Sequence, residues 1–568
     1  MSIDDDRAVK AAQDTVVRET DNGYRVLGAP EKSVTHQHNI DRIPEVDVTQ
    51  EMLNETAENP ESWLMYGGGY EQHRYTTCDV ITKDNVADLE LEHDMSVGAG
   101  SSMEGTPLIV PGDPPIMYQS NGPNHIKAID PREAEVLWSY TYAVPNDVVL
   151  CCDDNNRGPA VFGDKVFMTT LDSGVVALDR YTGEEEWYHS TEDHERGYSA
   201  TWAPMIYDGT LFTGSAGGEY GVRGFHTAID TESGDEKWRI NVSPETEWVG
   251  DSIEQSSCTN WMTATVDHEN GRLYMPIGNP GPDFDGSVRP GPNRNSAGTL
   301  CLDMETGEEL WFHQESAHDI WDYDSAMPRI LIRDVEVRGK TRDVVVSVGK
   351  TAWLYTMDAE TGELLVRSEP GAQQLNMFRM IPHIDEGRRL PFMPGGMGGN
   401  DWQPGCYNPE LGLTYHKLHN SFQEAWWRFE EFEPGKKYWG GILEDETEAV
   451  PDEYNGHISV ITAFDPLTGE TAWQDWIDSD VYLWGGTMAT KTGLMFAGTQ
   501  NGNLVGYDGE SGERLWEFDA GDAPISGDPI SWYDPGTEKQ YLAIQVGGSG
   551  WLRRGERDDR LLVFSMEE

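Results

Sequence analysis

The sequence predicts an all-β fold, an eight-bladed β-propeller built from tryptophan-docking repeats. Three observations favour it: one motif recurs along the chain, its copies are mostly about 50 residues apart, and aromatic residues are abundant, with 20 Trp, 23 Tyr and 15 Phe. A period near 50 matches one four-stranded blade per repeat, and aromatic residues favour strands. A single blade cannot bury both of its faces, so the blades are expected to close into a ring.

The repeated motif has the chemistry of a tight turn between two strands. Apolar residues precede an aspartate, a Thr/Ser-Gly-Glu/Asp group follows it, and a tryptophan ends the unit. The aspartate caps the turn and the glycine supplies a positive φ, so each copy predicts a hairpin whose tryptophan packs on the neighbouring blade. Full copies end at Trp187, Trp238, Trp311, Trp473 and Trp516, and degenerate copies end at Trp138 and Val366.

The spacing of the repeats predicts the number of blades. The leading aspartates are Asp130, Asp179, Asp230, Asp303, Asp358, Asp465 and Asp508. The 107 residues from Asp358 to Asp465 are about twice the usual interval, which leaves room for one additional blade and gives eight.

Two parts of unequal size are predicted along the chain. Residues 1–50 are expected to be a polar N-terminal extension, since the first 45 residues lack periodicity and suit an arm or a disordered segment. Residues 51–568 are expected to form the propeller. The beginning MSIDDDRAVKAAQD has no basic region followed by an apolar one, so it predicts no signal peptide, and no apolar run is long enough to predict a membrane span.

The charge is strongly acidic. The chain has 41 Lys+Arg against 100 Asp+Glu, a formal net charge of −59. Such a chain repels nucleic-acid phosphates, so nucleic-acid binding is excluded. Molar salt shortens the Debye length to about 3 Å and screens the self-repulsion, which favours a halophilic protein. The alternative is an acidic surface that steers a basic partner.

Some polar segments depart from the repeat, and CCDDNNRG is the first of them. Cys151 and Cys152 are adjacent, so a disulfide between them would be strained, and strained backbone is concentrated at functional sites. Such a ring could press on one face of a planar ligand. Two unbonded buried cysteines are the alternative. Arg157 would aim a planar guanidinium at an anionic oxygen.

Further segments carry hard oxygen donors. Glu219 lies in a glycine-rich stretch, and Asn279 lies in a turn after a predicted strand. Asp322 and Asp324, in HDIWDYDSAM, would share one face if that segment is a strand. This donor set suits calcium or a trivalent ion rather than zinc or copper. Chance is the alternative for the paired aspartates, because acidic residues are so frequent.

Seven motifs in order carry a resemblance to a known family. They are CCDDNNRG, GGEYGVRG, TNW, GNPGPDF, HDIWDYDS, GGNDWQP and WGGTMAT. In this combination the sequence resembles the pyrroloquinoline-quinone (PQQ) dependent alcohol dehydrogenases. It is most similar to the methanol dehydrogenase type that uses a lanthanide, from about residue 51 to the C-terminus.

The resemblance implies a propeller with PQQ across its central axis. The Cys151–Cys152 disulfide would cover one face of the quinone and Trp261 the other. The remaining cofactor contacts would come from Glu104, Arg157, Thr201, Gly217, Gly218, Lys350, Asp401, Trp402 and Trp484. The metal site would comprise Glu219, Asn279, Asp322 and Asp324.

The resemblance also implies a reaction. Asp322 would take the hydroxyl proton of a primary alcohol, such as methanol or ethanol, while hydride passes to the C5 carbon of PQQ and an aldehyde forms. Calcium-dependent members lack a carboxylate two residues after the base, so Asp324 favours a lanthanide. Lys350 stands where methanol enzymes usually have Arg, and Ala216 replaces a hydroxyl-bearing residue.

Two alternatives to this function stay open. One is a calcium-dependent quinoprotein that oxidises larger alcohols or sugars. The more remote one is a non-catalytic propeller that serves as a binding scaffold.

The partners follow from the same resemblance. No CxxCH haem motif is present, so a separate electron acceptor is expected, either a cytochrome c or a copper protein. The resemblance implies an extracytoplasmic location and permits a homodimer.

Overall fold

The computed structural model describes residues 16–98, 102–444, 450, 455–479, 481–548 and 558–568. Within these ranges the chain forms ten β-sheets, and eight of them have four or five strands. The one α-helix among these residues is α1 (Gln50–Glu55). Single 3₁₀ turns or short 3₁₀ helices cover Ile40–Arg42, Val86–Asp88, His194–Arg196, Gly218–Tyr220, Gly250–Gln255, Gly286–Val288 and Ile384–Glu386.

The first strands of the chain are distributed over several sheets. They are β1 (Val16–Thr20), β2 (Gly23–Leu27), β3 (Val34–Gln37), β4 (Tyr75–Thr76) and β5 (Glu90–Ser96). β1 and β2 form a separate hairpin, whereas β3, β4 and β5 join sheets made by later strands. The described part of the predicted N-terminal extension is therefore an ordered arm, and residues 1–15 lie outside the described residues.

Five sheets take four strands each, in chain order. The first comprises β6 (Leu108–Val110), β7 (Ile116–Asn121), β8 (His125–Asp130) and β9 (Glu135–Thr141), with β3 added beside β9. The next two comprise β10 (Ala160–Phe162), β11 (Lys165–Thr170), β12 (Gly174–Asp179) and β13 (Glu185–Ser190), then β14 (Met205–Tyr207), β15 (Thr210–Gly214), β16 (Phe225–Asp230) and β17 (Glu236–Asn241). The last two comprise β18 (Thr265–Asp267), β19 (Arg272–Ile277), β20 (Gly298–Asp303) and β21 (Glu309–Gln314), then β22 (Ile330–Val337), β23 (Lys340–Val348), β24 (Leu354–Asp358) and β25 (Leu364–Arg367).

The chain after residue 368 forms the remaining sheets. Its strands are β26 (Leu390–Phe392), β27 (Cys406–Asn408), β28 (Leu413–His419), β29 (Gln423–Trp427), β30 (Gly441–Glu444), β31 (Ser459–Phe464) and β32 (Thr471–Ile477), followed by β33 (Thr487–Thr490), β34 (Leu494–Gly498), β35 (Asn503–Asp508), β36 (Arg514–Asp519), β37 (Ile530–Asp534), β38 (Lys539–Val546) and β39 (Arg560–Glu567). Strands β27, β28, β31 and β32 form one sheet, and β33 to β36 form another with β4 beside β33.

The location predicted for the additional blade is wrong. The interval from Asp358 to Asp465 holds a three-stranded sheet, β26-β29-β30, instead of a complete four-stranded unit. The eighth sheet of four or five strands lies at the end of the chain, where β37, β38 and β39 pair with β5. The repeat spacing could not indicate this sheet because it lacks the motif and recruits a strand from before the first copy.

The repeat forms the turn between the third and fourth strands of a sheet. Between β20 and β21, for example, Asp303 Oδ1 accepts hydrogen bonds from Glu305 N at 3.1 Å and from Thr306 N at 2.8 Å. Gly307 follows with φ of +73°, which is the conformation that a glycine adopts without strain. The motif is therefore local turn chemistry, as its composition predicts.

The tryptophan of one repeat contacts the turn of the next repeat. Trp238 donates its indole N–H to the Met304 carbonyl at 3.3 Å, and a Cβ added to Gly307 would lie 2.7 Å from the Trp238 ring. The same hydrogen bond joins Trp138 to Arg180, Trp187 to Thr231, Trp311 to Ala359, and Trp473 to Gly509. These contacts connect consecutive sheets at the end where the repeat turns lie.

Replacing Trp138 with Ala is expected to destabilise the protein by about 3–5 kcal/mol, since this side chain is wholly buried and its loss leaves a cavity. Trp138→Phe keeps most of the apolar contact but removes the hydrogen bond to the Arg180 carbonyl. We expect this lost hydrogen bond to lower the free energy of unfolding by about 1 kcal/mol, in addition to the loss of packing from the smaller ring. Urea unfolding at molar KCl measures both. A loss below about 1 kcal/mol for Trp138→Ala would contradict the packing role.

The burial of the strands follows their position in a sheet. The third strand β8 is completely buried, whereas the fourth strands β13 and β17 have no buried residue. The apolar core therefore lies along the inner strands of each sheet. Among the described residues, no helix has the length and apolar character needed to cross a membrane.

Candidate active site

The candidate site lies at the end of the sheets opposite the repeat turns. In an antiparallel four-stranded meander, the connection between the second and third strands and the connection to the next sheet lie at the same end. Glu219 and Lys350 lie in connections between a second and a third strand, after β15 and β23. Arg157, Trp261 and Asp324 lie in connections from one sheet to the next, after β9, β17 and β21. This topology brings polar segments that are distant in sequence to one place.

A cavity of about 170 Å³ gathers nearly all of the residues predicted for the site. Its lining includes Glu104, Cys151, Cys152, Arg157, Thr201, Gly217, Gly218, Glu219, Trp261, Asp322, Asp324, Lys350, Asp401, Trp402 and Trp484. Asn279 is not in this lining and lies behind it.

The two adjacent cysteines form a disulfide in the cavity wall. Cys151 and Cys152 are bonded to each other, with Cα atoms 3.7 Å apart. Both sulfur atoms and a carboxylate oxygen of Glu219 lie within 4.8 Å of one another. The alternative of two unbonded cysteines is therefore excluded, and the disulfide adjoins a predicted metal ligand.

Arg157 is buried between aromatic rings. Its guanidinium forms an ion pair with Glu104 at 2.8 Å and lies 5.3 Å from the Trp261 ring centroid and 4.8 Å from that of Trp402. The Trp402 and Trp484 rings stack 6.0 Å apart at an angle of 4°. Within the described part of the chain, Arg157 Nε has no hydrogen-bond partner, so a buried donor is available to an anionic ligand.

The segment that carries Asp322 and Asp324 is a loop and not a strand, so strand alternation does not set the directions of the two side chains. Asp322 has φ of +64°, in the left-handed region. The cause is Asp319, whose carboxylate accepts from Trp321 N at 3.2 Å and from Tyr323 N at 2.7 Å and so turns the backbone.

The two aspartates converge despite this turn. Lys350 Nζ lies 2.7 Å from Asp324 and 3.1 Å from Asp322, and 3.5 Å from Asp401. One buried ammonium therefore serves three carboxylates that are largely shielded from solvent, which leaves each of them only partly neutralised.

Asn279 holds two carboxylates of the site, those of Asp324 and Asp283, through hydrogen bonds. Its backbone N–H donates to Asp324 Oδ1 at 2.9 Å, and its side-chain Nδ2 donates to Asp283 Oδ1 at 2.9 Å. The preceding residue is Gly278, where a Cβ would lie 2.5 Å from Asp324 Oδ1. A glycine is required there because Asp324 approaches the backbone so closely.

Asp283 is a lining residue that the sequence reasoning missed. Burial, followed by the Glu219 carboxylate, raises its pKa well above the ordinary value. It lies in GNPGPDF, a motif used for Asn279, so the signal was present four residues further along.

The cavity has a large excess of negative groups. Seven carboxylates line it, those of Glu104, Asp153, Glu219, Asp283, Asp322, Asp324 and Asp401, against the two cationic side chains of Arg157 and Lys350. Burial raises the pKa of Glu219 to about 7 and that of Asp401 to about 6. Burial also raises the pKa of Asp322 well above its ordinary value.

The pKa of Lys350 is raised too, but by attraction to carboxylates and not by burial. Burial alone lowers its pKa, but the attraction of Asp322 and Asp324 outweighs burial and raises the pKa well above the ordinary value. Uncompensated buried carboxylates of this kind fit a hard cation that takes oxygen ligands. The disulfide and the Trp261 indole supply flat walls, and Arg157 supplies a donor, which together fit a planar anionic molecule.

Family models match parts of the chain. Residues 190–370 match the model described as "Glucose/ethanol/alcohol dehydrogenase, beta-propeller domain". Residues 92–270 and 457–534 match the model for the outer membrane protein assembly factor BamB.

Individual proteins are similar over most of the chain. A quinohemoprotein alcohol dehydrogenase from Comamonas testosteroni is 30% identical over 544 residues, which are 89% of this chain and 75% of the relative. The quinoprotein alcohol dehydrogenase PedH from Pseudomonas putida is 28% identical over 89% of each chain.

Solved structures agree in fold. A europium-containing methanol dehydrogenase superposes with a TM-score of 0.82 at 26% identity, covering 91% of this chain and 100% of that one. The crystal structure of the Comamonas testosteroni quinohemoprotein alcohol dehydrogenase gives a TM-score of 0.79 at 27% identity, covering 93% and 83%.

Proposed function

The chain belongs to the PQQ-dependent quinoprotein alcohol dehydrogenases, and from this premise we propose that it oxidises primary alcohols, such as methanol or ethanol, to aldehydes. The observation that carries the proposal is the cavity, where the disulfide and Trp261 adjoin the carboxylates of Glu219, Asp322 and Asp324. The predicted all-β class and propeller domain are confirmed.

The ring architecture is part of the proposal. The eight sheets of four or five strands would be the eight blades, with the repeat tryptophans docking each blade to the next. Residues 51–568 would form this propeller, and residues 1–50 would be the N-terminal extension, whose strand β3 pairs with β9 at the edge of the first blade. The cavity would then lie on the central axis.

The cofactor would be held by the two flat walls and a polar rim. The Cys151–Cys152 disulfide and Trp261 would contact the faces of PQQ. Its polar edge would meet the donors Arg157 and Thr201 and the remaining lining residues Glu104, Gly217, Gly218, Lys350, Asp401, Trp402 and Trp484. Arg157 is suited to a carboxylate because its Nε is buried with a hydrogen to donate.

Asp322 would be the general base. Bound PQQ and its metal supply an electron-pair acceptor and Lewis acidity, which the protein itself lacks. Asp322 takes the alcohol hydroxyl proton on a carboxylate oxygen, and because burial raises the pKa of this group, the deprotonated form is a stronger base than a solvated carboxylate. Lys350, 3.1 Å away, holds the charged form in place.

The metal would be a lanthanide bound by Glu219, Asn279, Asp322 and Asp324. The excess of five negative over positive side chains in the lining, seven against two, favours a trivalent ion over a divalent one. The Asn279 amide donates to Asp283, so its oxygen is the atom left for a cation. Calcium, with larger alcohols or sugars as substrates, is the alternative.

The surroundings of the enzyme follow from its charge and its family. A net charge of −59 suits molar salt, where charges on the surface are screened. An external acceptor, such as a cytochrome c or a copper protein, would take the electrons in an extracytoplasmic compartment. A homodimer is compatible with this arrangement.

The test is reconstitution of the purified chain with PQQ and either lanthanum or calcium, in low salt and in molar KCl, with a panel of alcohols and sugars and an artificial electron-accepting dye. We expect dye reduction that needs primary alcohol and lanthanum and is faster in molar KCl. Preference for calcium and sugars would support the alternative. Dye reduction that does not depend on any substrate would contradict the dehydrogenase function and favour the non-catalytic binding scaffold. Higher activity in low salt than in molar KCl would contradict the proposed adaptation to high salt.

A further inference from the structure

The hairpin β1–β2 contacts two segments that adjoin the candidate active site. Tyr24 N donates to the Leu150 carbonyl at 2.7 Å, and Leu150 N donates to the Tyr24 carbonyl at 3.0 Å, immediately before the disulfide. Tyr220, the neighbour of Glu219, donates its hydroxyl to the Asn22 carbonyl at 3.0 Å. The N-terminal arm is thus built onto the walls of the cavity.

Asn22, in the turn of this hairpin, also binds a loop that we call the roof loop, residues 428–440, which connects β29 to β30. Its Nδ2 donates to the Gly435 carbonyl at 2.8 Å, and its Oδ1 accepts from Lys437 N at 2.8 Å. One amide side chain therefore satisfies a carbonyl and an N–H two residues apart, which only a group with both a donor and an acceptor can do.

The roof loop reaches the cavity through its last residues. Tyr438 N donates to the Glu219 carbonyl at 2.7 Å, and Phe284 N donates to the Trp439 carbonyl at 2.9 Å. Trp439 lines the active-site cavity and also an outer cavity of about 850 Å³, whose walls include Asn22. Trp439 therefore borders both spaces.

The tip of the roof loop makes further contacts of its own. Lys436 is exposed and pairs with Glu433 inside the loop, and Gly435 N makes a long bond of 3.3 Å to the Arg196 carbonyl. Phe432 also packs on the body of the protein, where a Cβ added to Gly221 would lie 2.8 Å from its ring. The two bonds from Asn22 are the ones that join the tip to the hairpin β1–β2.

Resting on the proposed function, we propose that Asn22 is a positioning residue that fixes Trp439 between the outer and inner cavities and thereby limits the size of the alcohol that reaches Asp322. The amide does not touch the reacting atoms. It acts through the roof loop, whose backbone carries both the bond to Asn22 and the Trp439 ring.

Amide hydrogen exchange of the full chain without cofactor tests the tether directly. In Asn22→Ala the Lys437 amide loses its acceptor, so we expect its exchange to be at least about tenfold faster than in the wild type. Thr20→Val is the matched control. It removes two hydrogen bonds within the hairpin: the one that Thr20 Oγ1 donates to the Gly23 carbonyl at 2.6 Å and the one that it accepts from Asn22 N at 3.3 Å. The bonds between Asn22 and the roof loop are unchanged. Equal exchange at Lys437 in Asn22→Ala and the wild type would overturn the tether.

Kinetics of the reconstituted enzyme test the selectivity. In Asn22→Ala we expect kcat/KM for a branched or aromatic primary alcohol, relative to ethanol, to rise about tenfold through a lower KM, with kcat for ethanol within about threefold of the wild type. An unchanged ratio would overturn the size limit. If wild-type protein oxidised no alcohol, the proposed function would fail, while the exchange result would still decide the tether.

If Asn22→Ala does not fold, hydrogen exchange of the wild-type protein alone tests whether Asn22 holds the roof loop. The Lys437 amide should then exchange as slowly as the Tyr24 amide of β2, because both depend on the docked hairpin. Fast exchange at Lys437 beside a protected Tyr24 would overturn the proposal.

Discussion

Replacing Asp322 with Asn is expected to lower kcat for primary alcohols about 1,000-fold, the largest effect that we predict for one substitution. A carboxamide has almost the same shape as a carboxylate, but it cannot accept the hydroxyl proton, and general bases contribute factors of about 10² to 10⁴. The Lys350 ammonium, 3.1 Å from Asp322, can still contact the amide oxygen, so the site should keep its geometry. Steady-state rates of the reconstituted enzyme measure the loss.

The matched control for this prediction is Asp401→Asn. Asp401 is a largely shielded carboxylate of the same cavity that also lies near Lys350, at 3.5 Å, but it has no role as base in the proposal. We expect it to lower kcat by no more than about tenfold. The absorption spectrum of bound PQQ and the terbium luminescence of the metal site should both be retained in Asp322→Asn, because the carboxamide keeps an oxygen ligand for the metal. Equal losses in the two variants would contradict the assignment of Asp322.

Replacing Asp324 with Ala is expected to abolish lanthanide-supported activity and to weaken lanthanide binding at least about 100-fold. The change removes one charged oxygen ligand, and calcium-supported activity should fall far less, since a divalent ion needs fewer carboxylates. Terbium luminescence excited through tryptophan is a readout that does not depend on turnover, because Trp261 Nε1 lies 3.5 Å from Asp324 Oδ1.

Gly278→Ala is a second way to disturb the same ligand. Its Cβ would lie 2.5 Å from Asp324 Oδ1 and should displace the carboxylate without removing it. We expect lanthanide binding to weaken here as well, though less than in Asp324→Ala. Terbium luminescence as strong in Asp324→Ala as in the wild type would contradict the metal site.

The parts of the fold that could be predicted from sequence are those encoded locally. The turn at Asp303 is defined by a few adjacent residues, and its copies reveal both the strands around it and the docking tryptophan. The sheet β37-β38-β39-β5 has no such signature, since its strands come from both ends of the chain. The insertion that forms the sheet β26-β29-β30 resembles a blade only in its number of residues. The number of residues does not determine how the strands pair, so this sheet could not be predicted.

The candidate site divides in the same way. Cys151, Glu219 and Asp324 stand out because their surroundings depart from the repeat, so the sequence alone is enough to identify them. Asp283 could not be identified as a site residue from the sequence, because that requires knowing which side of its turn faces the cavity. Trp439 comes from a loop that carries none of the motifs, and only tertiary packing places it in the wall of the cavity that the disulfide also lines.

The pairing of β39 with β5 has a consequence for biosynthesis. Residues 560–565 provide the partner for residues 90–96, so this sheet cannot assemble on the ribosome until more than 460 further residues have been translated after β5. Contacts this distant in sequence form slowly, and until they form the nascent chain exposes an unpaired strand edge at β5 that invites aggregation. A host that overproduces this protein would therefore benefit from slow translation or from a chaperone that shields that edge.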